Sequence, residues 1–220
     1  MKLFLDTADV ATIEKAYSTG LIDGLTTNPT LMMKSGDIPD KVYYELKHLG
    51  IRDISMEVVA DTSQDMLDEA RRLIGLFGDC VTIKVPCTPE GLKACKELAK
   101  QNVRVNVTLI FSAAQAILSS KAGATYVSPF VGRVDDNSFD GLALIAEISD
   151  IYEKQFVHET EILSASLRDV SSVSGSFAVG ADICTIPPTV FEKMYNHVLT
   201  DKGLDQFNKD LETIANANNS

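Results

Sequence analysis

The sequence predicts an α/β protein, a closed (β/α)8 TIM barrel with additional C-terminal helices. Short apolar segments alternate eight times with amphipathic segments of helical length, which is typical of a parallel sheet. Eight parallel strands can close into a barrel, and 220 residues lie at the short end of the range for that fold. An open doubly wound sheet is the alternative, because periodicity alone does not reveal closure. No linker or shift in composition divides the chain, so a single domain over residues 1–220 is expected.

The element boundaries follow from apolar periodicity and from residues that start or stop helices. Gly20 stops the first helix, and Thr88 and Pro89 suit the cap and first position of a later one. The predicted strands are 3–6, 22–27, 54–60, 81–85, 103–110, 124–130, 161–165 and 183–186. Helices are predicted at about 7–19, 29–35, 39–48, 63–77, from 89 onwards, 112–121, 138–154 and 169–179, and two more, about 189–196 and 204–215, close the chain.

Composition and charge exclude several classes of function. Hydrophobic residues make up 45% and charged residues 23% of the chain, close to the average for globular domains. The formal net charge of −11 argues against nucleic acid as a partner, because binding to phosphates requires a basic surface. The longest apolar runs are too short to span a membrane, and the first residues lack the apolar region of a signal peptide. Four cysteines without C-x-x-C spacing fit a reducing compartment, so a cytoplasmic location is expected.

Polar residues recur near the C-terminal ends of the predicted strands, often two positions apart. Side chains at i and i+2 of a strand point to the same face, and at this end of a barrel they converge on one cavity, where active sites lie. Each residue alone has an alternative role, such as a helix cap for Asp6 or Asn28. Their recurrence on successive strands favours a shared polar site. Its expected members are Thr26 and Asn28, Thr82 and Lys84, Asn106 and Thr108, the series Ser164, Ser166 and Arg168, and the single residues Asp6, Glu57 and Ser128.

Lys84 is the most informative of these residues. It stands between Ile83 and Val85 in a strand that should be buried on both faces. Burial of a lysine disfavours its charged form and so makes the free amine available as a nucleophile. The alternative is a purely structural ion pair of Lys84 with Glu57 or Asp6. An amine near two carboxylates also fits imine chemistry, which requires proton transfers, and the sequence therefore predicts a Schiff base at Lys84.

Two arginines predict an anion site at the late strands. Arg133 follows the sixth predicted strand and Arg168 follows the seventh. Guanidinium groups and hydroxyls on adjacent strands suit a phosphate, which the late loops of this fold often bind. Alternatively, each arginine pairs with a loop carboxylate such as Asp135, Asp136 or Asp169. The three histidines lack metal-ligand spacing, and no P-loop or dinucleotide motif follows a strand, so neither a metal nor an organic cofactor is expected.

At these residues the chain resembles transaldolases, in particular the short, single-barrel branch that also contains the fructose-6-phosphate aldolases. The resemblance extends from Leu3 to about Pro188, and the closing helices are compatible with it. It depends on five stretches that together, in this order and spacing, are highly specific. They are Phe4-Leu5-Asp6-Thr7-Ala8, Gly24-Leu25-Thr26-Thr27-Asn28-Pro29-Thr30, Thr82-Ile83-Lys84-Val85-Pro86, Val105-Asn106-Val107-Thr108-Leu109-Ile110-Phe111-Ser112 and Tyr126-Val127-Ser128-Pro129-Phe130-Val131-Gly132-Arg133.

The resemblance implies a role for each candidate residue. Lys84 matches the family's Schiff-base lysine, and Asp6 matches the acid/base that takes the proton from the substrate's C4 hydroxyl during carbon–carbon cleavage. Glu57 with Thr108 matches the pair that holds the catalytic water. The other matches are substrate contacts: Asn28, Asn106, Thr26 and Ser128 for hydroxyls and the dihydroxyacetone unit, and Arg133, Arg168 and Ser166 for the phosphate.

Three positions favour the transaldolase side of this branch. The fructose-6-phosphate aldolases carry Gln at the position of Glu57 and Tyr at that of Phe130, and they lack the asparagine found here at Asn106. A retained dihydroxyacetone carbanion must await an aldose acceptor, and Phe130, unlike a tyrosine, cannot protonate it. One departure from the family pattern is Leu167, where Phe is more usual. It should alter packing more than phosphate binding.

The resemblance implies transfer of a dihydroxyacetone unit from sedoheptulose 7-phosphate or fructose 6-phosphate to an aldose phosphate, in the non-oxidative pentose phosphate pathway. The alternatives are an aldolase that releases dihydroxyacetone and, from another class, a catalytically silent barrel that binds sugar phosphates as a regulator. Short members of the family form pentamers and decamers, so a homo-oligomer is expected. The helix at about 204–215 should pack on a neighbouring subunit or on its own barrel through an apolar stripe, Leu204, Phe207, Leu211 and Ile214.

Overall fold

The computed structural model describes residues 1–218 and shows a closed barrel of eight parallel strands. Each strand pairs with the next one along the chain, and the eighth returns to pair with the first. This closure confirms the predicted (β/α)8 TIM barrel and excludes the open sheet. The strands are β1 (Lys2–Asp6), β2 (Gly24–Thr26), β3 (Ile54–Glu57), β4 (Val81–Pro86), β5 (Val105–Ile110), β6 (Tyr126–Pro129), β7 (Glu161–Ser164) and β8 (Ile183–Ile186).

Helices connect the strands and form the outer layer of the barrel. A short 3-10 helix, Gly78–Cys80, precedes β4. The α-helices are α1 (Val10–Tyr17), α2 (Pro29–Ser35), α3 (Pro39–His48), α4 (Ser63–Phe77), α5 (Pro89–Ala99), α6 (Ala113–Lys121), α7 (Val131–Asp136), α8 (Gly141–Lys154), α9 (Val170–Ala178), α10 (Pro188–Lys193) and α11 (Val198–Asn218).

Side-chain caps determine where most of these helices begin. A capping oxygen accepts a hydrogen bond from a free N–H of the first turn, and so satisfies a donor that the helix itself leaves unpaired. Thr88 caps α5 in this way, with Pro89 at the first position as predicted. The other capping side chains are Asp9, Asn28, Thr62, Ser112, Asp140 and Asp169.

The strands separate two apolar clusters. Residues that point outwards, such as Leu25 and Ile83, pack against the helices in the main core. Inside the barrel lies a smaller cluster, contributed by β1 and the late strands: Phe4, Tyr126, Leu163, Ala165 and Ile183. The interior beside β2 to β5 is instead occupied by buried polar side chains. Asp6, Ser128 and Thr185 also line the cavity near the C-terminal ends of their strands, so the candidate site combines polar groups from both sides of the barrel.

A second polar network closes the opposite, N-terminal end of the barrel. Asp53 precedes β3, is buried, and accepts hydrogen bonds from Thr82 Oγ1 at 2.7 Å and from the Tyr126 hydroxyl at 2.6 Å. Arg104 Nη1 donates to the same carboxylate at 3.3 Å. Thr82 shares the inward face with Lys84, as the spacing predicts, but it lies one layer deeper. It belongs to this network and not to the shared site at the other end.

Helix α7 was not predicted, and α8 begins at Gly141 instead of about residue 138. No side chain caps α7, because the position before it is Phe130. The helix is held instead by the neighbouring strand end, since the N–H groups of Val131 and Gly132 donate to the carbonyls of Ala165 and Ser166. These contacts are tertiary, which is why local sequence signals did not reveal the helix.

Helix α11 is longer than the predicted helix at 204–215 and extends away from the barrel. Its apolar stripe is exposed along its whole length, with Phe207 66% and Leu211 63% accessible. In the single chain the stripe therefore does not cover the barrel. None of the helices in residues 1–218 is both long and apolar enough to cross a membrane.

Candidate active site

Lys84 lies inside the barrel and is held by two oxygen atoms. Its Nζ donates to Glu57 Oε2 at 3.0 Å and to the backbone carbonyl of Thr27 at 3.1 Å. The lysine side chain is only 6% exposed, whereas that of Glu57 is 17% exposed. Register pairing of Glu57 with Lys84 on adjacent strands places the two groups at the same height. A carboxylate in direct contact with a buried amine is suited to accept the proton that the amine must lose before it can act as a nucleophile.

Asp6 and Lys84 line the same cavity inside the barrel, and a hydroxyl group holds the Asp6 carboxylate in place. Thr26 Oγ1 donates to Asp6 Oδ1 at 2.7 Å and lies 2.6 Å from Thr185 Oγ1. Burial raises the pKa of the Asp6 carboxyl, partly offset by the Thr26 hydrogen bond and the charge of Lys84, while the charge of Glu57 raises it further. A carboxyl with a raised pKa is better matched to proton transfer near neutral pH than an ordinary aspartate.

Asn106 is oriented by neighbours on both sides. Its Nδ2 donates to Ser55 Oγ at 3.1 Å, and its Oδ1 accepts from Ser128 Oγ at 2.6 Å. All three side chains are buried. This chain of hydrogen bonds runs across β3, β5 and β6 and fixes which end of the amide faces each neighbour. It holds Asn106 rigidly beside Lys84, its register partner.

Thr108 is buried, and its Oγ1 has no hydrogen-bond partner among the described residues. The next residue, Leu109, has a positive φ of 61°, and the pairing of β5 with β6 shifts its register at this point. Such irregularities re-aim side chains and often occur beside functional sites. An unsatisfied buried hydroxyl requires an explanation, and a bound water or substrate atom is a common one.

Asn28 combines two roles that the sequence presents as alternatives. Its Oδ1 accepts from Leu31 N at 2.9 Å and caps α2. The same residue lines the cavity that contains Asp6 and Lys84. Because the cap uses only Oδ1, the side-chain NH2 group remains available to a ligand.

The two arginines occupy different environments. Arg133 lines the cavity, its Cζ lies 4.8 Å from the centroid of the Phe130 ring, and it makes no ion pair within residues 1–218. Arg168 instead makes a bidentate ion pair with Asp136 and does not line the cavity. The alternative reading of a loop ion pair therefore describes Arg168 in this unliganded chain, while Arg133 is an unpaired cation at the mouth.

Phe130 and Ser166 complete this side of the cavity. The Phe130 ring packs edge-on against Phe111, with centroids 5.8 Å apart. Ser166 has a positive φ of 60°, so the chain turns out of the sheet after β7. Ser164, predicted on the same face as Ser166, points to the helices instead, where its Oγ lies 2.9 Å from Ser176 Oγ. The i, i+2 rule failed here because the strand ends at Ser164.

Two polar residues of the site were not identified from the sequence, and the apolar residues Leu163 and Ala165 also line the cavity. Thr185 lies in the middle of β8 and lines the cavity, and Ser55 supports Asn106. Ser55 stands two positions before Glu57, and Thr185 is a polar residue in an otherwise apolar strand, so spacing and strand polarity were the available signals. Eight of the twelve predicted residues line this cavity: Asp6, Thr26, Asn28, Lys84, Ser128, Phe130, Arg133 and Ser166. The other four, Glu57, Asn106, Thr108 and Arg168, do not line it.

The fold and this arrangement define a class: a (β/α)8 enzyme whose polar site lies at the C-terminal ends of the strands. Within residues 1–218, no group of three His, Cys, Asp or Glu side chains is placed to hold a metal ion. The site therefore presents a buried amine, two carboxylates, several hydroxyls and one unpaired guanidinium for chemistry.

Comparison with known proteins specifies the family. The model of the Transaldolase/Fructose-6-phosphate aldolase family matches residues 3–219. A probable transaldolase of Paracoccus denitrificans is 50% identical over 210 residues, which is 96% of each chain. One from Nitrosopumilus maritimus is 48% identical over 215 residues, 97% of this chain and 96% of the relative. One from Caulobacter sp. is 50% identical over 210 residues, again 96% of each. The chain belongs to the transaldolase/fructose-6-phosphate aldolase family, and it is an enzyme of that general type.

Proposed function

We propose that the protein is a transaldolase that transfers a dihydroxyacetone unit from sedoheptulose 7-phosphate or fructose 6-phosphate to an aldose phosphate, through a Schiff base on Lys84. The observation that supports this most directly is the buried contact between Lys84 Nζ and Glu57 Oε2, with Asp6 on the same cavity. No cofactor is required in this reaction, because the protonated imine itself accepts the electron pair released on cleavage.

The first step of the proposed reaction joins the amine to the ketose. Glu57 takes a proton from Lys84, and the free amine adds to the C2 carbonyl to give a carbinolamine. Glu57 returns its proton to the carbinolamine hydroxyl, which leaves as water and gives the protonated imine. The unsatisfied Thr108 hydroxyl suits a water bound near Glu57 in this step. Asn106, held by Ser55 and Ser128, is placed to orient the hydroxyls of the dihydroxyacetone unit.

The second step breaks and remakes the carbon–carbon bond. Asp6 takes the proton of the C4 hydroxyl, the C3–C4 bond breaks, and its electron pair moves into the imine to form an enamine. The aldose phosphate leaves, and the enamine attacks the carbonyl carbon of the acceptor aldose phosphate. Asp6 returns its proton to the new hydroxyl, and water hydrolyses the imine. Arg133, with Ser166 and Arg168, is proposed to bind the phosphate group, which requires Arg168 to exchange Asp136 for the substrate.

Release of free dihydroxyacetone is the alternative outcome, and Phe130 disfavours it. The enamine must be protonated at carbon before dihydroxyacetone can leave, and the ring of Phe130 at the cavity has no proton to donate. A silent regulatory barrel is disfavoured by the intact contact of Lys84 with Glu57.

Borohydride trapping tests the Schiff base. Reduction in the presence of fructose 6-phosphate should give a covalent adduct that mass spectrometry maps to Lys84, and the Lys84→Met variant should give none. Lys93, an exposed lysine on α5, provides the matched control in a Lys93→Met variant, which should be trapped normally. The absence of an adduct at saturating substrate would refute the mechanism. Product formation measured with and without erythrose 4-phosphate then separates transfer from lysis, since equal rates would indicate an aldolase.

The proposed reaction places the enzyme in the non-oxidative pentose phosphate pathway, and a cytoplasmic location stays a prediction. We also propose that the exposed stripe of α11 packs on a neighbouring subunit in a homo-oligomer, a pentamer or decamer. The exposure of four large apolar side chains on one helix supports this: Leu204, Phe207, Leu211 and Ile214.

A further inference from the structure

The cavity lined by Asp6, Asn28 and Lys84 is called the sugar-binding cavity below. A second cavity lies beside it, and the two meet at Asn28. It has a volume of about 420 Å³ and is enclosed by α2, α3, α4 and the segment after β3. We call it the side cavity. Its walls include Asn28, Met32, Tyr43, Glu57, Val59 and Arg72. Asn28 also lines the sugar-binding cavity, so this one residue forms a wall shared by the two spaces.

Glu57 and its hydrogen-bond partner Lys84 line different cavities. Lys84 lines the sugar-binding cavity, and Glu57 lines the side cavity. The 3.0 Å contact between Lys84 Nζ and Glu57 Oε2 therefore crosses the boundary between the two spaces. This differs from the sequence-based expectation that both side chains converge on one cavity.

The proposed chemistry creates a need for such an arrangement. Imine formation releases one water molecule and imine hydrolysis consumes one, and both events occur while a ketose occupies the mouth of the barrel. A sugar that fills the mouth blocks the direct path between Lys84 and solvent. A separate opening that ends at Glu57, the proton-transfer group, lets water enter and leave while the sugar is bound.

The walls of the side cavity are suited to water. Arg72 and Asp40 form an ion pair at 2.7 Å, and Glu69 Oε2 accepts from Val59 N at 3.3 Å. The Tyr43 hydroxyl lies 2.9 Å from Thr27 Oγ1, next to the carbonyl that binds Lys84. Water occupies protein cavities that are roomy and offer several polar partners, and Asp40, Glu69 and Arg72 provide such partners between the apolar parts of the wall.

We propose that the side cavity is a water-binding passage that supplies water to Glu57 and removes it during imine formation and hydrolysis. The inference rests on the proposed Schiff-base function. It makes the groove between α2, α3 and α4 the route by which water reaches and leaves Glu57.

Controlled blocking of the rim tests the passage. Val59 lines the side cavity and is 64% exposed, so a Val59→Cys variant can be modified with either a methylthio group or a bulky thiol reagent. The partly buried Cys87 is first replaced by Ser, and the other three cysteines are buried. The matched control is Met33→Cys, which is 74% exposed on α2 but does not line the cavity. Ile38→Cys provides a second rim position if the first variant folds poorly.

The readout is exchange of the ketose C2 oxygen with solvent in ¹⁸O-labelled water, corrected for the enzyme-free rate and divided by the amount of imine that borohydride traps. The bulky label at Val59→Cys should lower this ratio several-fold, whereas the methylthio label and the labelled Met33→Cys control should not. An unchanged ratio, or equal falls at both positions, overturns the passage. Equal falls in exchange and trapped imine also overturn it, because the label then acts on sugar binding. Failure to trap any imine in the unlabelled enzyme refutes the proposed function itself.

Discussion

Asp6 is the residue at which stability and the proposed catalysis conflict most directly. Its carboxyl is fixed by Thr26 at 2.7 Å, yet burial raises its pKa, so the ionised form is disfavoured in the folded protein. A carboxyl whose pKa is higher in the folded than in the unfolded state lowers stability once the pH exceeds both values. The penalty disappears as the pH falls and the folded protein takes up the proton.

The Asp6→Asn variant should therefore be less active but more stable. Loss of the proton acceptor should lower kcat by roughly 10²–10⁴-fold. Thermal unfolding should show a higher Tm than the parent at about pH 7, and this difference should shrink as the pH falls towards the unfolded carboxyl value of about 3.9. Asp9→Asn is a control for which the opposite pH dependence of stability is expected. Asp9 caps α1, and its hydrogen bonds to Thr12 lower the pKa of its carboxyl. A pH-independent difference at Asp6 would contradict this account.

Phe130 is expected to determine the fate of the enamine. A Phe130→Tyr variant places a hydroxyl at the wall of the cavity, where it can protonate the enamine carbon and release dihydroxyacetone. Free dihydroxyacetone formed without acceptor, assayed enzymatically, should rise several-fold relative to transfer. Phe111→Tyr is a close control, since that ring touches Phe130 but does not line the cavity. Equal effects of the two substitutions would exclude a specific proton transfer.

At the scale of residues, the sequence located most of the inward-facing polar side chains and offered several candidate partners for Lys84 and Arg168, but it did not choose among those partners. Lys84 was recognisable because a charged residue in an apolar strand is rare, and Asn106 because it stands two positions from Thr108. The assignment of Glu57 to the side cavity depends on helices α2 to α4, which no local pattern describes. The pairing of Arg168 with Asp136 likewise depends on a helix that was not predicted.

Helix α7 is the element that positions the proposed anion-binding side of the cavity. It carries Arg133, and Gly132 allows it to lie directly against the strand end that follows β7. A methyl group added at Gly132 would clash with the Ser166 carbonyl and lie 2.9 Å from Arg168 Nε. The glycine is thus needed for close packing and not for an unusual backbone conformation.

A Gly132→Ala substitution should disturb phosphate binding more than imine formation. Overpacking of this kind costs about 1–3 kcal/mol of stability, and displacement of Arg133 and Arg168 should raise KM for a phosphorylated donor several-fold. Borohydride trapping with dihydroxyacetone, which lacks a phosphate, should change little. In contrast, Gly75→Ala in α4 meets no neighbouring atom within 4 Å and should stabilise the protein slightly. Equal losses with both ligands would show general unfolding instead.

Most elements were predictable from the sequence because two independent signals agreed at each of them. Apolar periodicity gave the strands, and Thr88, which caps α5, together with Pro89 gave the start of that helix. The predicted strands were often too long, as for 54–60, because the apolar residues Val58, Val59 and Ala60 continue the strand-like pattern although β3 ends at Glu57. Helix α7 has no side-chain cap and is only six residues long, so the tertiary contacts of Val131 and Gly132 define where it begins.

At the scale of the whole molecule, α11 exposes an apolar stripe that the barrel does not cover. Truncation after Asp201 should remove assembly but leave the barrel folded, since β1 to β8 are complete before this point. Analytical ultracentrifugation should show the parent as a multiple of 23.9 kDa and the truncated chain as a monomer. Phe207→Glu should weaken assembly, whereas Asn208→Glu, on the neighbouring exposed position, should not. A monomeric parent would refute the proposed oligomer.

Closure of the barrel has a consequence for the synthesis of the protein. β1 bonds to both β2 and β8, so one edge of the first strand stays unpaired until β8 leaves the ribosome. At typical translation rates this interval is on the order of tens of seconds. Unpaired strand edges promote aggregation, so the nascent chain is most vulnerable during that period. The contact of Thr26 with Thr185 also forms only then, so the polar cavity is completed only after β8 has been synthesised.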